Sequence, residues 1–175
     1  MEKWWTLMIY RLPGIEDKEI INIYVQEHYE NGEKNISASH GLTLSEYDKW
    51  VEKINRNAFI GDEIFGKSLL LLCFDEDRLI GLLSIRYDLP QELSHSIGDI
   101  GYGVRPSERN KGYATVMLKH ALDVCRQKGK RKVILGCFKD NVASAKTIIK
   151  NGGVLLCEND NYEKGRLSQY YVIEL

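Results

Sequence analysis

One stretch restricts the fold of this chain more than any other. Ile100-Gly101-Tyr102-Gly103-Val104-Arg105-Pro106 reads as a strand stopped by a proline, which has no N–H for a sheet ladder. Arg109-Asn110-Lys111-Gly112-Tyr113-Ala114 follows. Ala114, Leu118, Ala121 and Cys125 then recur at helical spacing, with Lys119, Asp123, Arg126 and Lys128 on the opposite face. The unit is strand, tight glycine loop, helix. At such a helix start the first-turn N–H groups have no intrahelical acceptor and sit at the positive end of the dipole. Gly112 lets an anion approach the backbone without meeting a Cβ. The stretch predicts a diphosphate cradle.

Two common nucleotide loops do not fit it. The phosphate loop Gly-x-x-x-x-Gly-Lys-Ser/Thr is missing, and the dinucleotide pattern Gly-x-Gly-x-x-Gly begins at Gly101 and Gly103 but fails at Pro106. Arg109, Gly112 and Ala114 instead match Arg/Gln-x-x-Gly-x-Gly/Ala. A second segment, Asp140-Asn141-Val142-Ala143-Ser144 through Lys150-Asn151-Gly152-Gly153, matches Asn-x-x-Ser/Ala…Lys-x-Gly. On these motifs the chain resembles the GNAT N-acetyltransferase superfamily, whose members bind acyl-CoA through the first loop. The matched core runs from about Ile97 to Gly153.

Length and charge bound the alternatives. The 175 residues suit a single domain spanning 1–175 and can bury a real core. Twenty-four basic against 25 acidic residues leave a net charge of −1, which gives no general pull toward nucleic acid or an anionic membrane. The first residues, through Arg11, do not read as a signal peptide, and the apolar run Leu69–Phe74 is far below membrane-spanning length. Cys73, Cys125, Cys137 and Cys157 have no paired spacing and lie in apolar patterns, as buried reduced thiols of a cytoplasmic protein would. No metal site is expected.

In chain order, Trp4–Tyr10 reads as a strand and residues 16–30 as a helix turning Ile20, Ile23 and Tyr24 inward. Residues 31–41 read as a loop. Thr43 and Glu46 form a capping box for a second helix that buries Tyr47, Trp50, Val51 and Ile54. Ser68–Phe74 and Leu79–Tyr87 read as a hairpin, Leu89–Ser96 as a loop, and Lys132–Phe138 as a strand parallel to the one ending at Val104. Asp140 caps a short helix whose inner side is Val142, Ala145, Ile148 and Ile149. Val154–Glu158 and Gln169–Leu175 close the chain as strands. The fold class is α/β: a mixed, mostly antiparallel sheet with a parallel pair and helices on both faces, which is also the GNAT fold.

The resemblance assigns roles. It implies acetyl-CoA as co-substrate, held by Tyr102, Gly103, Val104, Arg109, Asn110, Lys111, Gly112, Tyr113, Ala114, Asn141 and Ser144. Gly101 and Gly103 mark the bulge that splays this strand in the family, and an amide near Val104 faces the thioester oxygen. Asp99 stands where many members carry a glutamate that accepts the amine's proton; His95 and His28 are weaker candidates. Ile148 occupies the position of the family's tyrosine acid, which leaves Tyr170 or Tyr171 on the last strand, or unassisted thiolate departure. Lys128-Gly129-Lys130-Arg131-Lys132 lies at the far end of the cradle's helix, roughly 25 Å away by helical rise, and reads as a solvated cap.

The activity so implied is transfer of acetyl from acetyl-CoA to a primary amine of a small molecule or peptide, by direct attack in a ternary complex, because no internal nucleophile is evident. A homodimer is compatible with this reading. The rival is a catalytically silent CoA-binding sensor or interaction module. A nucleic-acid-binding protein ranks third, against the balanced charge.

Overall fold

A computed structural model of the chain describes residues 8–175. Along them run β1 (Ile9–Arg11), α1 (Lys18–Glu30), α2 (Tyr47–Phe59), β2 (Leu69–Asp75), β3 (Arg78–Ile85), α3 (Gln91–Ile97), β4 (Ile100–Val104), α4 (Tyr113–Gln127), β5 (Lys132–Phe138), α5 (Val142–Lys150), β6 (Val154–Asn159) and β7 (Ser168–Glu174). Trp4 to Leu7, the front of the expected first strand, lie outside the described residues.

The strands form two antiparallel sheets, ordered β1-β2-β3-β4 and β5-β7-β6. The apolar runs of β2 and β3 are buried on both faces, which is why they read as continuous rather than alternating. Leu70, Leu72, Leu79 and Leu82 pack against Ile21, Tyr24, Trp50 and Ile54 of α1 and α2. Leu71, Leu83, Ile85 and Ile100 face Met117, Leu118, Ala121 and Leu122 of α4. The crossover through α4 then brings β5 beside β4.

These two strands touch at one end only. Asp99 N–H donates to Ile134 C=O at 2.6 Å, and Ile134 N–H donates to the Asp99 carboxylate at 2.7 Å. From that junction both lead away in the same direction and separate, so Ile100–Tyr102 and Leu135–Phe138 become walls of a cavity. The parallel pair is thus a splayed contact between two antiparallel sheets.

Several local expectations change. Leu89–Ser96 is not all loop: α3 starts after Pro90 and is stopped by Gly98 at φ +75°. The box from Thr43 does not form; Glu46 is the N-cap residue, and its carboxylate reaches Lys49 at 3.0 Å instead. Asn141 rather than Asp140 caps α5, its side chain accepting Ser144 N–H at 3.1 Å, while Asp140 pairs with Arg166. Ile23, Val142 and Ile149 are exposed, because α1 and α5 each rest on a narrower stripe than the residue types suggest: Ile21, Tyr24 and His28 in one, Ile148 with Ala145 in the other. Among the described residues no helix is long and apolar enough to cross a membrane.

Candidate active site

The register of β4 determines which of its backbone groups are free. Arg105 N–H donates to Ile80 C=O at 2.9 Å, Arg86 N–H donates to Asp99 C=O at 2.7 Å, and the pairing between these ends has no shift. Alternation in an antiparallel ladder therefore assigns residues 99, 101, 103 and 105 to β3. The backbone groups of Ile100, Tyr102 and Val104 point the other way, toward the gap before β5. The expected bulge at Gly101 and Gly103 is absent. Its glycines answer to close approach instead: a Cβ on Gly103 would stand 2.9 Å from the Ser37 carbonyl, and one on Gly81 would stand 2.1 Å from the Gly103 carbonyl.

Beyond β4 the chain turns through Pro106–Glu108 into the loop before α4. Asn110 and Gly112 hold φ +62° and +90°, a left-handed region that asparagine tolerates and glycine occupies freely. Left-handed residues in such a loop allow successive N–H groups to converge on an anion. Among the described residues, no protein acceptor takes the N–H of residues 110 to 114. A run of free donors at a helix N-terminus fits a diphosphate in shape and charge.

The side chains around the loop do something different from what the sequence suggests. Arg109 was expected to reach phosphate. Instead its Nε donates to Val104 C=O at 3.0 Å and its terminal nitrogens clasp Glu33, one at 2.8 Å. Arg105 clasps Glu27 and also donates to Leu79 C=O at 3.0 Å. Glu27 further accepts Ser107 N–H at 2.8 Å and Ser107 Oγ–H at 2.7 Å. Burial raises the Glu27 pKa, but the Arg105 and Ser107 donors outweigh it and hold the carboxyl down at about 2. Glu33 is held at about 2 chiefly by Arg109. Lys111 pairs with Glu108 at 2.8 Å, and the Tyr113 hydroxyl donates to Asp75. The cations of the loop thus brace it against α1 and its own turn.

The cavity beside β4 has a volume of about 230 Å³. Tyr102, Asn141, Ser144 and Tyr170 all line it, together with Ile148 and Cys137. The Tyr102 hydroxyl lies 3.0 Å from Ser144 Oγ. Tyr170 is buried, its ring against Gly136, and its hydroxyl donates to Ser96 C=O at 2.8 Å; burial raises its pKa. Cys137 has its thiol pKa raised by burial, a poor setting for a nucleophile.

Asp99 does not line the cavity. It is 2% exposed and its carboxylate accepts from Ser94 Oγ at 3.0 Å, Lys130 Nζ at 2.8 Å and Ile134 N–H at 2.7 Å. Lys130 therefore departs from the solvated cap expected of its basic run, folding back under the sheet junction. A carboxylate with three donors has little capacity left for a substrate amine. His95 is exposed and His28 is buried, with Nδ1 at 2.7 Å from Glu33.

Sequence reading missed Lys130, Glu27 and Glu33 because their partners lie 31 to 80 residues away. It also missed Arg86, which lines the cavity. No local pattern marks any of them. Among the described residues no cluster of three or more His, Cys, Asp or Glu is arranged to hold a metal ion.

Comparison with known proteins meets this geometry at the fold and at the sequence. Solved structures superpose over nearly the whole chain: YncA of Salmonella typhimurium, determined with its cofactor acetyl-CoA (15% identity, TM-score 0.66, 96% of this chain and 94% of that one); a GNAT-family acetyltransferase of Streptococcus pneumoniae (18%, 0.68, 97% and 100%); and the microcin C7 self-immunity acetyltransferase MccE, in complex with acetyl-CoA and AMP (15%, 0.70, 96% and 92%). No curated protein matches the sequence. The sequence model of the acetyltransferase (GNAT) family matches residues 36–152, a span that holds β4, the free-donor loop and α5. The splayed strands and that match agree, and the chain belongs to the GNAT family of acetyl-CoA-dependent acetyltransferases.

Proposed function

We propose that the protein transfers acetyl from acetyl-CoA to a primary amine by direct attack in a ternary complex. The observation that carries this reading is the run of free donors, the N–H groups of residues 110 to 114, continuous with the open edge of β4. The loop N–H groups, Asn110 through Ala114, hold the diphosphate. Arg109 and Lys111 set the loop's shape rather than meeting phosphate. The open edge at Tyr102 to Val104 pairs with the pantetheine arm, with Asn141 and Ser144 on the opposite wall. The Val104 N–H points into the gap and polarises the thioester oxygen.

In the transfer the amine nitrogen bonds the carbonyl carbon, the C–S bond breaks, and the thiolate leaves with the electron pair. The amine's proton passes to water in the cavity mouth, since no carboxylate lines the cavity among the described residues. Asp99, which the sequence offered as the base, is a positioning residue that fixes the β4–β5 junction. Tyr170 holds the Ser96 carbonyl and shapes the wall, and the Tyr102 hydroxyl is the donor nearest Ser144 for the departing sulfur.

One observation favours the silent binder: both expected proton-transfer positions, Asp99 and Ile148, are built into structure. Incubation with acetyl-CoA and a panel of primary amines decides between the two. Amine-dependent thiol release that requires both substrates, with no acetylated protein by mass spectrometry, is expected. Tight CoA binding without turnover of any amine would leave the silent binder.

The exposed β6, with Val154, Leu155 and Leu156 at the edge of its sheet, supports a homodimer. Sedimentation of wild type against Leu155→Lys tests it.

A further inference from the structure

Among the described residues, Arg86 is the only one lining the cavity that carries a formal charge at neutral pH. It leaves the end of β3 and lies over β4: a Cβ built on Gly101 would stand 3.9 Å from its Nη1. Its present partners are neutral. Nη1 donates to Gly98 C=O at 3.2 Å and Nη2 lies 3.4 Å from His40 Nε2. His40 is kept uncharged, its pKa drawn down to about 4 by burial and by the neighbouring Arg86 and Lys53. That imidazole also meets Ser84 Oγ at 2.6 Å. Among the described residues no carboxylate lies within salt-bridge distance of Arg86; Asp99, the acid close by in sequence, is turned to Lys130. The contrast with Arg105 and Arg109, both clasped by glutamates, is direct.

A guanidinium that has lost much of its hydration and gained no anion is costly unless a ligand supplies one. Its planar fork suits a carboxylate, which it binds through two parallel hydrogen bonds. The spacing then limits the ligand. Gly101 and Val104 are three residues apart on a strand, roughly 10 Å by strand rise. An ion pair takes roughly 4 Å of that and a near-attack contact roughly 3 Å. What remains fits a spacer of about two covalent bonds at roughly 1.5 Å each.

We propose that Arg86 is the specificity-determining residue of the acceptor site and that the acceptor is a free amino acid, its carboxylate held by Arg86 and its amine directed at the thioester. This rests on the acetyltransferase reading above and selects, from small-molecule and peptide amines, those with a carboxylate a few bonds from the nitrogen. A peptide N-terminus has no such group.

The test measures thiol release from acetyl-CoA with the proteinogenic amino acids, β-alanine and the matching carboxamides. A preference for acids over amides of about 10²-fold in kcat/KM is expected, the size of one desolvated charge pair. Arg86→Gln should erase it, raising KM for acids far more than for amides. Arg86→Lys, which keeps the charge if Gln disturbs the fold, should retain part of it. In parallel, calorimetry reads the binding of N-acetyl amino acids to the CoA-saturated protein, expected in wild type and lost in Arg86→Gln. Equal use of acids and amides by wild type would overturn the proposal while leaving the acetyltransferase reading intact, as would turnover of aminoalkylphosphonates alone. No turnover, but Arg86-dependent binding of N-acetyl amino acids, would keep the anion site and remove the transfer reading. Neither turnover nor binding would overturn both.

Discussion

At the far end of β4 the loop 105–114 has its cations paired: Arg105 with Glu27, Arg109 with Glu33, Lys111 with Glu108. What it offers a ligand is backbone. At the near end the offer is reversed, since the backbone of residues 99 and 134 is joined and the open group is a side chain, Arg86. Anion recognition by backbone depends on dihedral angles, and a few residue types at fixed spacing encode those. Recognition by a side chain depends on what lies across the fold, and local spacing does not encode that.

The first way to break this contrast is to attack the wall that separates the two ends. The side chain of Lys130 is 17% exposed and that of Asp99 3%, so the pair is held largely out of water. Lys130→Met would leave a buried carboxylate with its cation gone, at a cost of about 3 kcal/mol. Denaturant unfolding should show that loss at neutral pH, and Asp99→Asn in the same chain should restore part of it. Activity gives the complementary reading. If Asp99 positions rather than catalyses, the pH–rate profile of Asp99→Asn, corrected for folded fraction, superimposes on that of wild type. A lost acidic limb would return Asp99 to the proton path.

Next is the loop's backbone. Gly112→Glu places a carboxylate against the free donors and a Cβ at φ +90°. CoA affinity should fall by roughly 10²-fold, or about 3 kcal/mol at 1.4 kcal/mol per decade. Gly112→Ala meets only the conformational penalty, about 1 kcal/mol, and separates strain from charge. Calorimetry on both reads the difference, and equal affinities for wild type and Gly112→Glu would take the cradle out of the mechanism.

The bracing ion pairs make a smaller, pH-dependent claim. Glu27 and Glu33 titrate near 2 in the folded chain, below the ordinary glutamate value of about 4.3. Depressed acids add stability above the unfolded value and lose it as pH falls through the folded one. Stability should therefore decline between about pH 4.5 and 2, with about 1–2 kcal/mol from the two together once solvent screening is allowed for. In Glu27→Gln with Glu33→Gln that slope should flatten, as thermal melts across the range would show.

The same contrast explains what the sequence made legible. Pro106 ending a strand and Gly112 opening a helix are local instructions, and β5 begins and ends at the predicted Lys132 and Phe138. The hairpin of β2 and β3 follows from two apolar runs and an acidic turn. The site's side chains behaved otherwise. Arg109 looked like a phosphate ligand because the glutamate that holds it, Glu33, lies in the turn after α1, 76 residues earlier. Asp99 took the role of base from its family position, and Lys130, the partner that occupies it, sits in a run of basic residues that reads as surface. Arg86 carried no signal, because its importance lies in the missing partner, which only three-dimensional neighbours reveal.

Asn141 lies between the two modes and gives the finest test. It is the cap of α5, with Oδ1 accepting Ser144 N–H at 3.1 Å, and it lines the cavity wall opposite the open edge of β4. A cap needs only an acceptor, whereas holding the pantetheine arm also needs the amide's N–H₂. Asn141→Ala removes both and would confuse them, since loss of a cap alone costs about 1 kcal/mol. Asn141→Asp separates them. Aspartate caps as well as asparagine and suits the helix dipole, so the melting temperature should hold. The donor is gone, so CoA affinity should fall about 5-fold, or roughly 1 kcal/mol for one hydrogen bond. Dephospho-CoA should weaken equally, because the contact lies away from the adenosine end. Unchanged affinity with unchanged stability would make Asn141 a cap only, and the arm's side-chain contacts would then fall to Ser144 and Tyr102.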